Sequence, residues 1–235
     1  MDSIDTLKSS WEKEYKRKGI PSSFRKDPTK PIVEFVSWLK KQNFKGNQAA
    51  DIGCGLGRNS FYLASQGFQV TGIELLEDNV KAINEEAKLH NIPVQAFALN
   101  AAEHWPIPSD SLDIVIDVFC YKHIVNKDGQ FKYRQELKRT LKNNGFYFIS
   151  LASENDGFYG PLLDKSTNPK NKLILDPYSN IASFLYSIEE LSNEFSDFFE
   201  LVDIKEQASS SPMYEKEYSR LVINAIFKKL NYDDI

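Results

Sequence analysis

Apolar positions along the chain follow two patterns that alternate. In "TKPIVEFVSWLKKQ", Ile32, Phe35, Val36 and Leu39 recur at helical spacing, which predicts a helix laying one face on a sheet. "NQAADIG" then reads as a short buried strand. Beyond it the spacing predicts a helix over 59–66, strand "FQVTGIE", a helix over 77–90, strands "PVQAFAL" and "LDIVIDVF", a helix over 128–142 and strand "GFYFISLA". Strands alternating with helices imply parallel pairing through right-handed crossovers, hence a doubly wound α/β sheet. The near-continuous apolar run of "LDIVIDVF" suits a central strand covered on both faces.

The rhythm breaks between Ser153 and Tyr186, a stretch rich in Asn, Pro, Gly and aromatic residues and longer than ordinary connections. It is expected to be a functional insertion in a single domain spanning 1–235. A helix over 188–195 follows, then strands "FFELVDIKEQ" and "YSRLVINAIFKK", joined by the polar "ASSSPMYEKE". No helix fits between these last two, so they should pair antiparallel at one edge. At the other end of the chain, residues 3–18 read as a polar helix with Trp11 and Tyr15 four residues apart on one face, and residues 1–27 as a cap segment.

Composition narrows the function classes. A chain of 235 residues with 41% hydrophobic positions can bury a sizeable core. It has no apolar run long enough to cross a bilayer and no apolar leader, so a cytoplasmic location is expected. Two cysteines, Cys54 and Cys120, form neither a disulfide framework nor a metal-binding pair. No metal is expected. The net charge of -4 provides no general field for phosphate backbones, which disfavours a nucleic-acid partner.

The candidate chemistry centres on "AADIGCGLGRNS", where Gly53, Gly55 and Gly57 fall on alternate positions after a strand. A bare turn of this kind lets a ligand touch backbone. The dinucleotide fingerprint GxGxxG needs a third glycine where Arg58 stands, which argues against a nicotinamide or flavin dinucleotide, and no phosphate-binding GxxxxGK[ST] run exists. Glu74 ends the second strand, where an acceptor-only carboxylate can take both hydroxyls of a ribose. A nucleoside without a diphosphate is the expected ligand.

"DIGCGLGRNS" with "VTGIE" resembles the cofactor site of class I S-adenosylmethionine-dependent methyltransferases. The likeness runs from about Lys30 to Ala152, and "CYKHI", "QELKRTLKNNGFYFIS" and the final strand pair are similar to the same family. "GRNS" is similar to the small tellurite-resistance-type members, whereas the insertion after Ser153 is not. The resemblance implies a Rossmann-like, seven-stranded, mostly parallel sheet with the last strand antiparallel, and S-adenosyl-L-methionine as cofactor. Asp51 and the backbone around Gly53 and Gly55 would hold its methionine part, Glu74 its ribose, and Leu75 would lie against adenine. Cys54, Asn59, Asn100, Ala101, Ala102, Asp117 and Phe119 complete the implied contact set. Arg58 and Asn59 either tie the helix start to neighbouring loops or reach the cofactor's polar tail. The family often has an aspartate that accepts from the adenine amino group; aligning on "WPIPSDSLD" puts Ala101 there, leaving Asn100 or Glu103 as substitutes.

Further roles stay open on the sequence alone. Asp117 either contacts ligand or orders its loop. His123 either acts as general base or stabilises its loop. Cys120 lacks the Pro-Cys context of a pyrimidine-attacking nucleophile and reads as a buried cysteine. Tyr159, Tyr178, Phe184 and Tyr186 line an acceptor pocket or fill the insertion's own core, and Trp11 and Tyr15 close over the cofactor or anchor their helix. The expected function is methyl transfer to a small-molecule acceptor, with the insertion shaping its pocket. Methylation of protein or RNA, and cofactor binding without catalysis, are the alternatives.

Overall fold

Five short apolar runs pair in parallel at the centre of the molecule. In the computed structural model, which describes residues 4–164 and 171–230, these are β1 (Gln48–Ile52), β2 (Gln69–Glu74), β3 (Val94–Ala98), β4 (Leu112–Val118) and β5 (Leu141–Ala152). A hairpin of β8 (Phe199–Met213) and β9 (Lys216–Lys229) completes a seven-stranded sheet of order β3-β2-β1-β4-β5-β9-β8. β9 runs antiparallel to both β5 and β8. The chain reverses its direction of travel across the sheet between β1 and β4, which opens a crevice at the carboxyl ends of those two strands.

Helices cover both faces because the central strands are apolar on both. α2 (Lys30–Lys41), α3 (Arg58–Ser65) and α4 (Glu77–His90) bury Ile32, Phe35, Leu63, Val80 and Ile83 against one face. Phe35 stacks on Phe148 of β5 at 4.9 Å between ring centroids, and burying a side chain of this size contributes roughly 1.5–3 kcal/mol. α5 (Lys127–Thr140) and α7 (Ile188–Glu194) cover the other face, where Trp105, Tyr133, Tyr147, Phe195 and Phe227 form an aromatic core. Helix ends are fixed locally: the Asn126 side chain accepts from Gly129 N at 2.6 Å, and Ser187 with Glu190 forms a reciprocal capping box.

The polar segment "ASSSPMYEKE" is not a connector. Its first residues extend β8 as far as Met213, and the turn is only Tyr214–Glu215, with φ of 50° and 66°. Two positive φ values make a tight primed turn that ordinarily favours Asn-Gly. Here tertiary contacts hold it: the Tyr214 ring stacks on Tyr178 at 4.3 Å, its hydroxyl donates to Asp176 Oδ2 at 2.8 Å, and its N–H donates to Gly19 O at 2.7 Å. The hairpin tip is thereby tied to the segment after α1 (Ile4–Arg17).

The insertion contains a short α6 (Gly160–Leu163) and a two-stranded ribbon of β6 (Leu173–Leu175) and β7 (Ala182–Phe184). Phe158, Tyr159, Ile174 and Leu185 pack with Met213 into a third apolar cluster, so this stretch has a core of its own against the hairpin.

Candidate active site

β1 delivers its carboxyl end into the glycine turn. The N–H groups of Gly53 and Cys54 both donate to Ile73 O, at 2.7 and 3.1 Å, which folds the turn across β2. Gly53 has φ +71°, and a Cβ there would lie 2.5 Å from Cys120 Cβ. Only glycine satisfies that conformation and that spacing together. Asp51, buried beneath the turn, accepts from Ser60 Oγ at 2.6 Å and so ties β1 to the start of α3. Burial pushes its pKa up to about 6 against the pull of Ser60 and Arg58.

Glu74, at the end of β2, faces the turn. Its Oε2 accepts from Gly55 N at 2.9 Å and its Oε1 from Leu76 N at 3.0 Å. The carboxylate is 7% exposed and burial lifts its pKa to about 7, with those hydrogen bonds opposing. Tyr15 of α1 closes over the same spot: a Cβ on Gly55 would meet its hydroxyl at 2.6 Å.

Beside Glu74 opens a cavity of about 310 Å³. Gly53, Glu74 and Leu75 form one wall, Leu99 to Ala102 another, and Phe119, Cys120 and His123 to Asn126 a third. Ile4, Leu7, Trp11 and Tyr15 of α1 roof it. One buried carboxylate among apolar walls suits a nucleoside, whose ribose hydroxyls need an acceptor and whose base needs apolar faces.

A second cavity, about 460 Å³, adjoins the first. Trp11, Ser22, Val118, Phe119 and His123 line both and form a seam between them. The far walls are Ile20 to Ser22 and Asp27 to Pro31 from the N-terminal segment, Tyr159, and Gln207 to Ser211, Met213, Arg220 and Val222 of the hairpin.

His123 stands at the seam on a 3-10 turn, Tyr121–His123. Its Nδ1 is 2.9 Å from Ala182 O and 3.1 Å from Ser183 Oγ. A carbonyl only accepts, so Nδ1 carries the proton and Nε2 keeps a lone pair. The Trp11 ring meets the imidazole edge-on at 5.0 Å. Burial, assisted by the neighbouring Lys122 charge, lowers the imidazole pKa to about 3, so the ring is neutral at physiological pH.

The expected contact residues separate into two groups. Gly53, Glu74, Leu75, Asn100, Ala101, Ala102 and Phe119 border the first cavity. Asp51, Cys54, Gly55, Asn59 and Asp117 do not line it. Asp117 is fully buried and its carboxylate accepts from Cys120 N, Tyr121 N and Tyr133 Oη at 2.8, 3.0 and 2.8 Å, which orders the loop after β4. Burial raises its pKa to about 7. Asn59 accepts from Thr29 N at 2.9 Å, tying α3 to the N-terminal segment, whereas Arg58 borders the second cavity. Asn100 Oδ1 accepts from Ala102 N at 3.0 Å, and Glu103 is exposed away from the cavity. Burial drives both thiols well above the usual range, Asp51 adding for Cys54 and Asp117 for Cys120, which leaves them un-ionised.

Among the insertion's described residues, Tyr159 alone borders the second cavity. Tyr178 stacks on the hairpin turn, and Tyr186 packs near Tyr121 and accepts from Gln130 Nε2 at 3.1 Å. Phe184 packs against the aromatic core. Sequence reasoning missed the hairpin wall altogether. The available signal was Arg220, a charge directly before the largely apolar run "LVINAIF".

A sheet of this order with a glycine turn after its first strand and a carboxylate ending the second is a Rossmann-like methyltransferase fold. Residues 49–145 match the methyltransferase domain family. The ubiquinone biosynthesis O-methyltransferase of Rickettsia akari is 28% identical over 129 residues, 54% of this chain and 49% of that protein. A probable S-adenosyl-L-methionine-dependent methyltransferase, TehB, of Haemophilus influenzae is 26% identical over 125 residues, 52% of this chain and 42% of that one. The chain therefore spans about half the length of the curated relatives it matches or less. Among solved structures, the 1,6-didemethyltoxoflavin-N1-methyltransferase of Burkholderia thailandensis, with 1,6-didemethyltoxoflavin and S-adenosylhomocysteine bound, superposes with a TM-score of 0.69 at 18% identity, covering 97% of this chain and 88% of that one. Over residues 49–145 the chain therefore carries a methyltransferase domain, and the fold and this likeness support S-adenosylmethionine as its cofactor. No described helix is long and apolar enough to cross a membrane, and no cluster of metal-ligating side chains occurs among the described residues.

Proposed function

We propose that this protein transfers a methyl group from S-adenosylmethionine to a small-molecule acceptor seated in the second cavity. The carrying observation is the pair of cavities, about 310 and 460 Å³, that share a seam at Trp11, Phe119 and His123. When bound, the cofactor supplies an electrophilic sulfonium methyl, so the protein's work is alignment and exclusion of water. Glu74 would accept from the cofactor's ribose hydroxyls, and Leu75, Leu99 and Ile124 would offer apolar surface to its base. Asp51 acts through Ser60, holding the glycine turn in shape rather than touching ligand. α1 roofs the cofactor with Leu7, Trp11 and Tyr15 and keeps water from the seam.

His123 Nε2 offers a lone pair at the place where an acceptor hydroxyl or amine must lie. Its lowered pKa makes it an orienting hydrogen-bond acceptor rather than a proton store. The open second cavity speaks for catalysis over cofactor binding alone. Its size fits a metabolite-sized acceptor, the class named for the toxoflavin methyltransferase that shares the fold.

The test is release of S-adenosylhomocysteine when the protein and cofactor are incubated with a cell extract split by ultrafiltration. Turnover is expected with the low-molecular-mass filtrate. Turnover only with the retained macromolecules would replace this reading by protein or RNA methylation, and turnover with neither would favour a binding-only role.

A further inference from the structure

The second cavity carries an unbalanced set of hydrogen-bond donors at its hairpin end. Arg220 of β9 is 6% exposed and borders the cavity. Its Nε donates to Asp156 Oδ2 at 2.8 Å, whereas its Nη2 is buried with no partner. Asp156 has little left to give. Its Oδ2 also accepts from Leu221 N at 3.0 Å, and its Oδ1 from Phe158 N and Tyr159 N at 3.0 and 2.9 Å.

Two further groups share this condition. Ser150 Oγ, on β5 and bordering the same cavity, is buried without a partner. Lys122 is fully buried, its Nζ has no hydrogen-bond partner, and it sits 3.7 Å from the centroid of the Tyr159 ring that forms the cavity wall. Buried donors ordinarily have a partner, and a ligand in this cavity would supply one for Arg220 Nη2 and Ser150 Oγ. The other charges on the wall are Arg25, Lys30 and Arg58 against a single acid, Asp27. Arg58 directly follows the glycine turn, whereas Arg220 pairs in register with Ser209 on the far hairpin, so the cavity has two separate cationic ends.

We propose that the acceptor carries a carboxylate, which docks on Arg220 Nη2 with Ser150 Oγ as second donor while its nucleophilic atom lies at the seam. This rests on the methyltransferase reading and names its substrate class. Asp156 acts as the positioning residue, orienting the guanidinium through Nε. An arginine whose Nη2 is free of partners matches one oxygen of a planar carboxylate.

The test uses the full chain saturated with S-adenosylhomocysteine and titrated with matched probes: benzoate against benzamide, and phenylacetate against phenylacetamide. Each carboxylate should bind at least about tenfold tighter than its amide. Arg220→Gln should abolish that preference. Because Arg220→Gln also strips Asp156 of its cation, Ser150→Ala is the companion variant: it removes a hydroxyl that has no partner, uncovers no carboxylate and should narrow the preference at unchanged melting temperature. Equal affinity within each pair, no binding of any probe, or a preference untouched in the folded variants would overturn the proposal. Inorganic phosphate displacing benzoate at equal concentration would replace carboxylate by phosphate ester. The saturation step keeps the two readings apart. Failure to bind S-adenosylhomocysteine sinks the methyltransferase reading, and binding without carboxylate preference sinks only this one.

Discussion

The two cavities are built by different means. The cofactor cavity is shaped by strand ends, with Gly53 after β1, Glu74 closing β2 and Phe119 after β4, so its chemistry falls at fixed offsets along the chain. The acceptor cavity is assembled from parts far apart in sequence: residues 20–31, Ser150, Tyr159 and the hairpin from Gln207 to Val222. Backbone conformation dominates the first and side-chain chemistry the second. It follows that damage to the cofactor cavity should act on binding of every substrate, whereas damage to the acceptor cavity should act on choice among them.

The largest expected effect is Gly55→Val. Gly55 has φ +60°, which a β-branched residue avoids at a cost of about 1–3 kcal/mol, and its Cβ would strike the Tyr15 hydroxyl. Cofactor binding should be lost in calorimetric titration. Restoration of binding by adding Tyr15→Ala would assign the loss to the roof helix, and undiminished binding in the single variant would show that the turn tolerates a side chain.

Glu74→Ala comes next. It removes the acceptor for the ribose and leaves the Gly55 and Leu76 N–H groups without their partner. S-adenosylhomocysteine affinity should weaken by ~1–3 kcal/mol. Equal affinity in a folded variant would put the ribose elsewhere.

The pH dependence is smaller and has a definite sign. Asp51, Glu74 and Asp117 are raised to about 6, 7 and 7 by burial. The folded, ligand-free protein therefore holds more protons than the unfolded chain between roughly pH 4 and 7, and its stability should fall as pH rises through that window. Cofactor binding should move the opposite way, because the ionised Glu74 is the better acceptor. Affinity should rise by a few-fold from about pH 6 to about pH 8. A flat profile in wild type, or the same slope in Glu74→Gln, would separate the pH effect from Glu74.

The smallest effect on cofactor binding is expected from His123→Asn, which leaves the cofactor cavity standing. The maximal rate should drop by about tenfold while cofactor affinity stays within twofold, as suits loss of an orienting acceptor rather than of a strong base. A parallel loss of cofactor affinity would make His123 a cofactor residue instead.

This division also explains what was legible in the sequence. Helices and parallel strands follow from periodicity, and the glycine turn with Glu74 follows from offsets that backbone geometry enforces. The edge hairpin was read as antiparallel, but its tip was missed: "ASSSPMYEKE" has low strand propensity, and pairing to β9 together with the Tyr214 contacts overrides it. Asp117 and Asn59 carried the right chemistry for ligands, and what periodicity does not reveal is that their oxygens also accept from Tyr133 and Thr29. The insertion was assigned the acceptor wall on length and aromatic content. Of its described residues Tyr159 borders that cavity, and others act from behind, with Asp156 holding Arg220 and Ala182 holding His123. Replacing residues 153–181 by a linker would therefore disturb the acceptor cavity by removing Asp156.

The central claim is that cofactor and acceptor occupy two cavities meeting at one seam. A crystal structure with S-adenosylhomocysteine bound tests it most directly. The ribose hydroxyls should lie within hydrogen-bond distance of Glu74, and the sulfur should reach the seam formed by Trp11, Phe119 and His123, facing the Arg220 cavity. A product molecule seated in the larger cavity, or one whose sulfur points away from that seam, would contradict the account.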